Sequence, residues 1–147
     1  MTDFPEEALL FFRTHHGMAT GSALAAAGLS RRQCNAAVDS GLLEPMYERV
    51  FHIATGPLTL EARCVAMSMA YPRGFVTGPS GGKLMSLRRL PADPDVTFWV
   101  PHGLHVGPFE GVVIRQSTRI LPSHVVVRGD GIRLASGARL AFDLQST

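Results

Sequence analysis

Along the first third of the chain, apolar positions recur at helical spacing, and beyond residue 41 they shift to a strand-like composition. Ala8, Leu9, Phe11 and Phe12 form one apolar face, which predicts a first helix over residues 5–15. Pro5 suits a first helical position, Glu6 and Glu7 complement the positive end of the helix, and Gly17 ends the segment. Thr20 can cap a second, short helix over 21–27, which Gly28 stops. Ser30 then caps a third helix reaching about Ser40, with Gly41 as its terminator. Two short helices joined by a three-residue turn containing glycine carry the signature of a helix-turn-helix. In the third helix Cys34, Ala37, Val38 and then Leu42 fall at i, i+3, i+4 and i+8 and are expected to be its buried stripe. Arg31, Arg32, Asn35 and Asp39 then face outward.

After Gly41 the β-formers Tyr47, Val50, Phe51 and Ile53 predict a hairpin over 42–53, a wing, with its turn near 46–48. Thr55-Gly56-Pro57 closes it. Thr59 can cap a helix over 60–71, broken by Pro72, Arg73 and Gly74, and Thr77 or Ser80 starts a shorter one through Leu87. Strands are expected at 96–100, 111–116 and 123–128, with a Pro/Gly/His loop over 101–108, and Ser136 caps a last helix over 137–145. The predicted fold class is α+β: an N-terminal winged helix-turn-helix over 1–56, followed by a helical connector and a small β-rich α+β domain over 57–147.

Of the 147 residues, 46% are hydrophobic and 18% charged, the profile of an ordered globular protein. No apolar run approaches the ~20 residues that span a bilayer. The opening residues Thr2, Asp3, Glu6 and Glu7 do not form a secretory leader. A cytoplasmic protein without membrane contact is expected. Cys34 and Cys64 have no Cys or His partner at metal-ligand spacing and read as small buried hydrophobes. Charge is uneven. Residues 1–72 hold five arginines against seven carboxylates, a balance of −2, whereas residues 73–147 hold nine Lys or Arg against five, a balance of +4.

The residue types on the third helix suit base reading. Arginine matches guanine O6 and N7, and asparagine matches adenine N6 and N7, so Arg31, Arg32 and Asn35 are the candidate readers. Thr20, Ser22 and Ser30 can hold phosphates with hydroxyls and helix-start N–H groups. Arg49 in the wing can reach a phosphate or the minor groove, although Glu44 and Glu48 beside it oppose that contact. Lys83, Arg88 and Arg89 cluster near a helix end, and with Arg115, Arg119, Arg128, Arg133 and Arg139 they suggest a second phosphate-binding surface. Gly78-Pro79-Ser80-Gly81-Gly82-Lys83 lacks two residues of a phosphate loop, since Thr77 and Leu84 stand where Gly and Ser or Thr are needed. It reads as a tight helix start. His102 and His105 share a loop without a third ligand nearby, and no carboxylate pair or nucleophile–base arrangement stands out. No enzymatic activity, metal or cofactor is expected.

Residues 16–56, HGMATGSALAAAGLSRRQCNAAVDSGLLEPMYERVFHIATG, resemble the winged helix of AbiEi-type antitoxins from two-gene abortive-infection toxin–antitoxin systems, with AAGLSRRQ and SGLL matching well. The resemblance continues through TLEARCVAMSMA, VTGPSGGKLMSL, DVTFWVP, GVVIRQS and LPSHVVVRGDGIRLASGARLAFDL, from about residue 8 to 145. It implies an antitoxin that represses its own operon by binding inverted repeats in double-stranded DNA and that counters a nucleotidyltransferase-like toxin. Carried over by position, residues 30–40 are the recognition helix, with Arg31, Arg32 and Asn35 as readers. The sequence departs from the family where wings usually read His-Arg-Gly-Val-Tyr: here Glu48 replaces the basic residue and Arg49 the glycine. Thr77-Gly78-Pro79-Ser80-Gly81-Gly82 likewise replaces a basic stretch. Many relatives continue into an endonuclease-fold domain, and this sequence ends at Thr147, where that domain would begin. Two further readings are a protein-interaction module with a degenerate winged helix, and the DNA-targeting part of a nuclease whose catalytic domain lies elsewhere.

Overall fold

The amphipathic stripe of the first segment folds into α1 (Glu6–Thr14), which buries Ala8 and Phe12 and leaves Leu9 and Leu10 largely exposed. The structure, a computed structural model, describes residues 4–85, 95–104, 106–118 and 120–145. The chain is mixed α and β, and it divides into two units, one ending at Ala70 and one starting at Tyr71.

In the first unit α1 is followed by β1 (Met18–Thr20), α2 (Gly21–Ala26), α3 (Arg31–Asp39), β2 (Leu43–Pro45), β3 (Val50–Ile53) and α4 (Leu60–Ala70). The three strands form an antiparallel sheet in the order β1-β3-β2, with Met18 opposite His52 and Leu43 opposite Ile53. Ala8, Phe12, Ala19, Leu24, Leu29, Cys34, Ala37 and Leu43 form its core cluster. Burial of this set supplies most of the stability of three helices, α1, α2 and α3, each too short to persist alone.

Two expectations change here. Leu42 is not in the buried stripe of α3: it is 37% exposed, and Leu43 is buried in its place. Gly41, at φ +82, ends the helix in the left-handed conformation, so helical spacing no longer applies one residue later. The boundary expected between residues 56 and 57 falls instead between 70 and 71, because α4 packs on β1 and β3. The Gly56-Pro57 turn is a bend inside the first unit.

The second unit contains β4 (Phe75–Thr77), α5 (Gly78–Leu84), β5 (Val96–Pro101), β6 (Val112–Ser117), a 3-10 turn at Pro122–His124, β7 (Val125–Val127), β8 (Arg133–Ala135) and α6 (Gly137–Gln145). Its sheet runs β6-β5-β4-β8-β7, with β4 antiparallel to β5 and parallel to β8, and β5 parallel to β6. β7 pairs antiparallel with β8 at one edge. The helix expected to run to Leu87 stops at Leu84, capped by Met85, and residues 86–94 lie outside the described residues.

Close approach explains two glycines of this unit, Gly74 and Gly81. A Cβ on Gly81 would stand 3.1 Å from Leu140 Cδ1, where α5 and α6 pack together. A Cβ on Gly74 would overlap the Phe98 ring and lie 2.8 Å from the Trp99 carbonyl oxygen. Gly78, Ser80, Gly81 and Gly82 are all buried in α5, so the glycine-rich run serves packing.

A buried polar network links the sheet of this unit to α6. Arg139 Nε donates to both carboxylate oxygens of Asp143, at 3.0 and 3.1 Å, and Thr77 Oγ1 donates to Asp143 Oδ2 at 2.6 Å. The guanidinium also lies 5.3 Å from the Phe75 ring centroid and 5.0 Å from that of Trp99. Its remaining nitrogens reach Ser117 Oγ at 3.4 Å and His124 Nδ1 at 3.3 Å. Arg139 is therefore not part of a phosphate-binding surface, as its sequence neighbourhood suggested. It is 6% exposed and neutralised within the unit.

Candidate nucleic-acid interface

The start of α3 is set by a reciprocal cap. Ser30 Oγ accepts from the Gln33 N–H at 3.2 Å, and Gln33 Oε1 accepts from the Ser30 N–H at 2.8 Å. This pairing satisfies two of the donors that a helix start leaves open and fixes the direction of its first turn. Arg31, Arg32 and Asn35 project from that turn and the next, and all three are exposed. Asn35 lies four residues from Arg31 and three from Arg32, so the three side chains share one strip of helix surface. Neither arginine has an ion-pair partner among the described residues. Both forks are open to a bidentate acceptor.

The start of α2 is built similarly. Thr20 Oγ1 accepts from the Ala23 N–H at 3.1 Å and lies 3.2 Å from Ser22 Oγ. Ser22 and Ser30 are exposed, and Thr20 is half-buried. A capping hydroxyl uses its lone pairs on the backbone, and its proton stays available to an acceptor such as a phosphate oxygen.

The β2–β3 connection carries Arg49, exposed and at φ +62. That left-handed backbone is one glycine adopts readily and an L side chain rarely does. The Arg49 carbonyl accepts from the Gly21 N–H at 3.2 Å, which ties the connection to the start of α2. Of the two nearby acids, Glu44 turns to His52, its Oε2 3.4 Å from Nδ1, whereas Glu48 is exposed. Tyr47 is half-buried; desolvation pushes its phenol above the ordinary range, and the charge of Arg63 partly offsets the shift.

The basic residues of the second half do not form one set. Arg73, Lys83 and Arg115 are exposed. Arg128 pairs with Asp130 at 3.0 Å, and Arg133 Nε donates to the Gly74 carbonyl at 2.8 Å. Arg88, Arg89, Arg119 and also His105 lie outside the described residues. Lys83 stands on α5 in the second unit, apart in sequence from the α2 and α3 residues that the first unit brings together.

Two residues of interest were missed by sequence reasoning. Gln33 completes the cap of α3, and the Ser-x-x-Gln spacing at 30–33 carried that signal. His52 is buried in β3 with Nε2 unpaired, and only its place in the strand alternation Val50, His52 hinted at an inward position. Cys34 is buried, and desolvation raises its thiol above the usual range, which disfavours a reactive thiolate. Among the described residues no group of three or more His, Cys, Asp or Glu could hold a metal ion. No helix among them is long and apolar enough to cross a membrane. No protein-family model matches the chain, and no curated protein matches it.

Proposed function

We propose that residues 4–70 act as a winged helix-turn-helix that binds double-stranded DNA with α3 in the major groove, and that the protein is an antitoxin and repressor of its own operon. The observation that carries the DNA reading is the exposed strip Arg31, Arg32 and Asn35 on a capped helix start, with both guanidiniums unpaired among the described residues. A recognition helix reads base edges with its N-terminal residues, and these residue types match guanine and adenine. Thr20, Ser22 and Ser30 donate to flanking phosphates, and Arg49 adds a contact from the wing. The first unit carries more acids than bases, so binding draws on cations of the second half such as Arg73, Lys83 and Arg115. No catalytic step and no cofactor enter this reading. The antitoxin role rests on the resemblance to AbiEi-type proteins, which also supplies inverted-repeat operator DNA and a nucleotidyltransferase-like toxin as partners.

The test is a titration of the protein with its own promoter DNA at fixed salt. Arg31→Ala and Arg32→Ala are each expected to weaken binding by roughly 1–3 kcal/mol, and to relax base preference at one position of each half-site. Unchanged binding by both variants overturns the assignment of α3 as reader. The antitoxin role is tested separately, by co-expression with a nucleotidyltransferase-like product of the adjacent gene; failure to relieve its toxicity leaves a repressor alone.

One observation favours a second reading, a protein-binding winged helix: the net −2 of the first unit, with Glu48 exposed beside Arg49. The two readings separate on salt. Several phosphate contacts make affinity for DNA fall by orders of magnitude between about 50 and 200 mM salt. A protein-binding module shows little affinity for the promoter at any salt.

A further inference from the structure

We infer that the second unit binds a small phosphate monoester with an apolar body, in a cleft that runs from the ends of β5 and β6 to β7. The cleft has a volume of about 730 Å³, within the range of small-molecule sites. Every residue that lines it belongs to the second unit.

The fold brings two cations to this cleft. Arg133, on β8, donates from Nε to the Gly74 carbonyl at 2.8 Å. That bond holds its guanidinium beside the backbone one residue after Arg73, and both arginines line the cleft. Arg73 is exposed and has no ion-pair partner among the described residues. No Asp or Glu stands among the described residues that line the cleft. A concave surface of one charge sign with apolar walls concentrates the opposite ion. Two guanidinium forks suit a doubly charged group whose several oxygens accept bidentate bonds. A phosphate monoester carries a charge of about −1.5 to −2 at pH 7, whereas a carboxylate or a phosphodiester carries a single one. His102 and Thr118, exposed at the end of β5 and just past β6, add an imidazole and a hydroxyl.

The apolar wall starts beside one of these cations. Val127 stands directly opposite Arg133 in the β7–β8 pair, and Val125 lies two residues away on the same face. Ile120 and Leu121 continue the wall from the connection before β7. Val127 is 61% exposed and Leu121 56%, the two most exposed large hydrophobics among the described residues, and both line this cleft. A ring or alkyl group laid on them leaves water together with the wall. A monoester seated with its phosphate at Arg73 and Arg133 carries its body onto Val127.

The site stands on the second unit alone and does not depend on α3 meeting DNA. Arg73 is also one of the cations that DNA binding draws on, but the phosphates of a duplex are singly charged diesters. A diester probe therefore separates the two roles.

The experiment is a titration of the full chain at fixed ionic strength, followed by amide NMR shifts. The probe is phenyl phosphate, with methyl phenyl phosphate as the diester and with inorganic phosphate and phenol as single-group controls. Shifts are expected at Arg73, Thr118, Val125, Val127 and Arg133, with phenyl phosphate binding about fivefold or more tighter than any of the other three. Arg73→Gln should weaken phenyl phosphate about tenfold and leave phenol unchanged. Val127→Ser should weaken phenyl phosphate about threefold and leave inorganic phosphate unchanged. Both positions are exposed, so neither variant puts folding at risk, whereas Arg133 also holds Gly74. Absence of shifts at these residues with phenyl phosphate overturns the site, as does binding there that Arg73→Gln leaves unaltered. Equal affinity for monoester and diester overturns the doubly charged ligand, and equal affinity for phenyl and inorganic phosphate overturns the apolar body.

Discussion

In the first unit Arg31 and Arg32 stand at the open start of a helix with their side chains in solvent, whereas in the second Arg139 is 6% exposed between Phe75 and Trp99 and bound to Asp143. All three follow a capping serine within three residues, Ser30 or Ser136, so their local sequence settings are alike. The neighbours differ. α3 turns Cys34 and Ala37 inward and its arginines away from the core, while α6 lies against a sheet that offers Ser117 and two aromatic rings to its arginine and Thr77 to the paired Asp143. Thus an arginine at a helix start is a candidate ligand contact when nothing faces it, and a structural cross-link when a sheet does.

Removing the cross-link should have the largest effect. Arg139→Leu leaves Asp143 as a buried, uncompensated charge and should destabilise the second unit by about 3–5 kcal/mol, while Arg139→Leu combined with Asp143→Leu recovers most of that loss. Chemical denaturation of both variants checks this, and a loss below about 1 kcal/mol for the single change would remove the contrast between the two arginine settings. Next comes the register after α3: Leu43→Ala should cost about 2–5 kcal/mol and Leu42→Ala less than about 1. Equal melting shifts would restore the stripe that ended on Leu42. The smallest effect is expected in the β2–β3 connection. Arg49→Gly relieves a left-handed backbone and should gain about 0.5 kcal/mol of stability, partly offset by the greater freedom of glycine in the unfolded chain. If Arg49 also touches a phosphate, the same change weakens promoter binding severalfold and lowers its salt dependence. A variant that melts higher and binds DNA less tightly separates backbone strain from ligand contact at one residue.

What could be read from the sequence follows from the range of the forces involved. α1, α2 and α3 and the caps at Thr20 and Ser30 were legible because periodicity and capping are local. β1, β4 and β8 were not. Each is three residues long, too short to show alternation, and their state depends on pairing with strands far away in the chain, as Val76 does with Leu134. The outward direction of Arg31, Arg32 and Asn35 could be read from Cys34 and Ala37 opposite them. The burial of Arg139 could not, since Arg139 and Asp143 at i, i+4 look like an ordinary surface pair until the rings that enclose them are placed. His52 is a similar case. Its Nε2 is enclosed by residues that include Gly17 and Gly56, 35 positions before it and 4 after it in the chain, so its burial shows in no local pattern.

Gly74 gives the second unit a sharp genetic signature. Pro72 and Arg73 just before it are exposed, so a random-substitution library should recover many alleles at those two positions. Position 74 should return glycine alone, because even alanine would push β4 away from Phe98 and Trp99. In a survey of surviving clones this would appear as one invariant codon directly after two permissive ones, and it would score the integrity of that sheet without any assay of function.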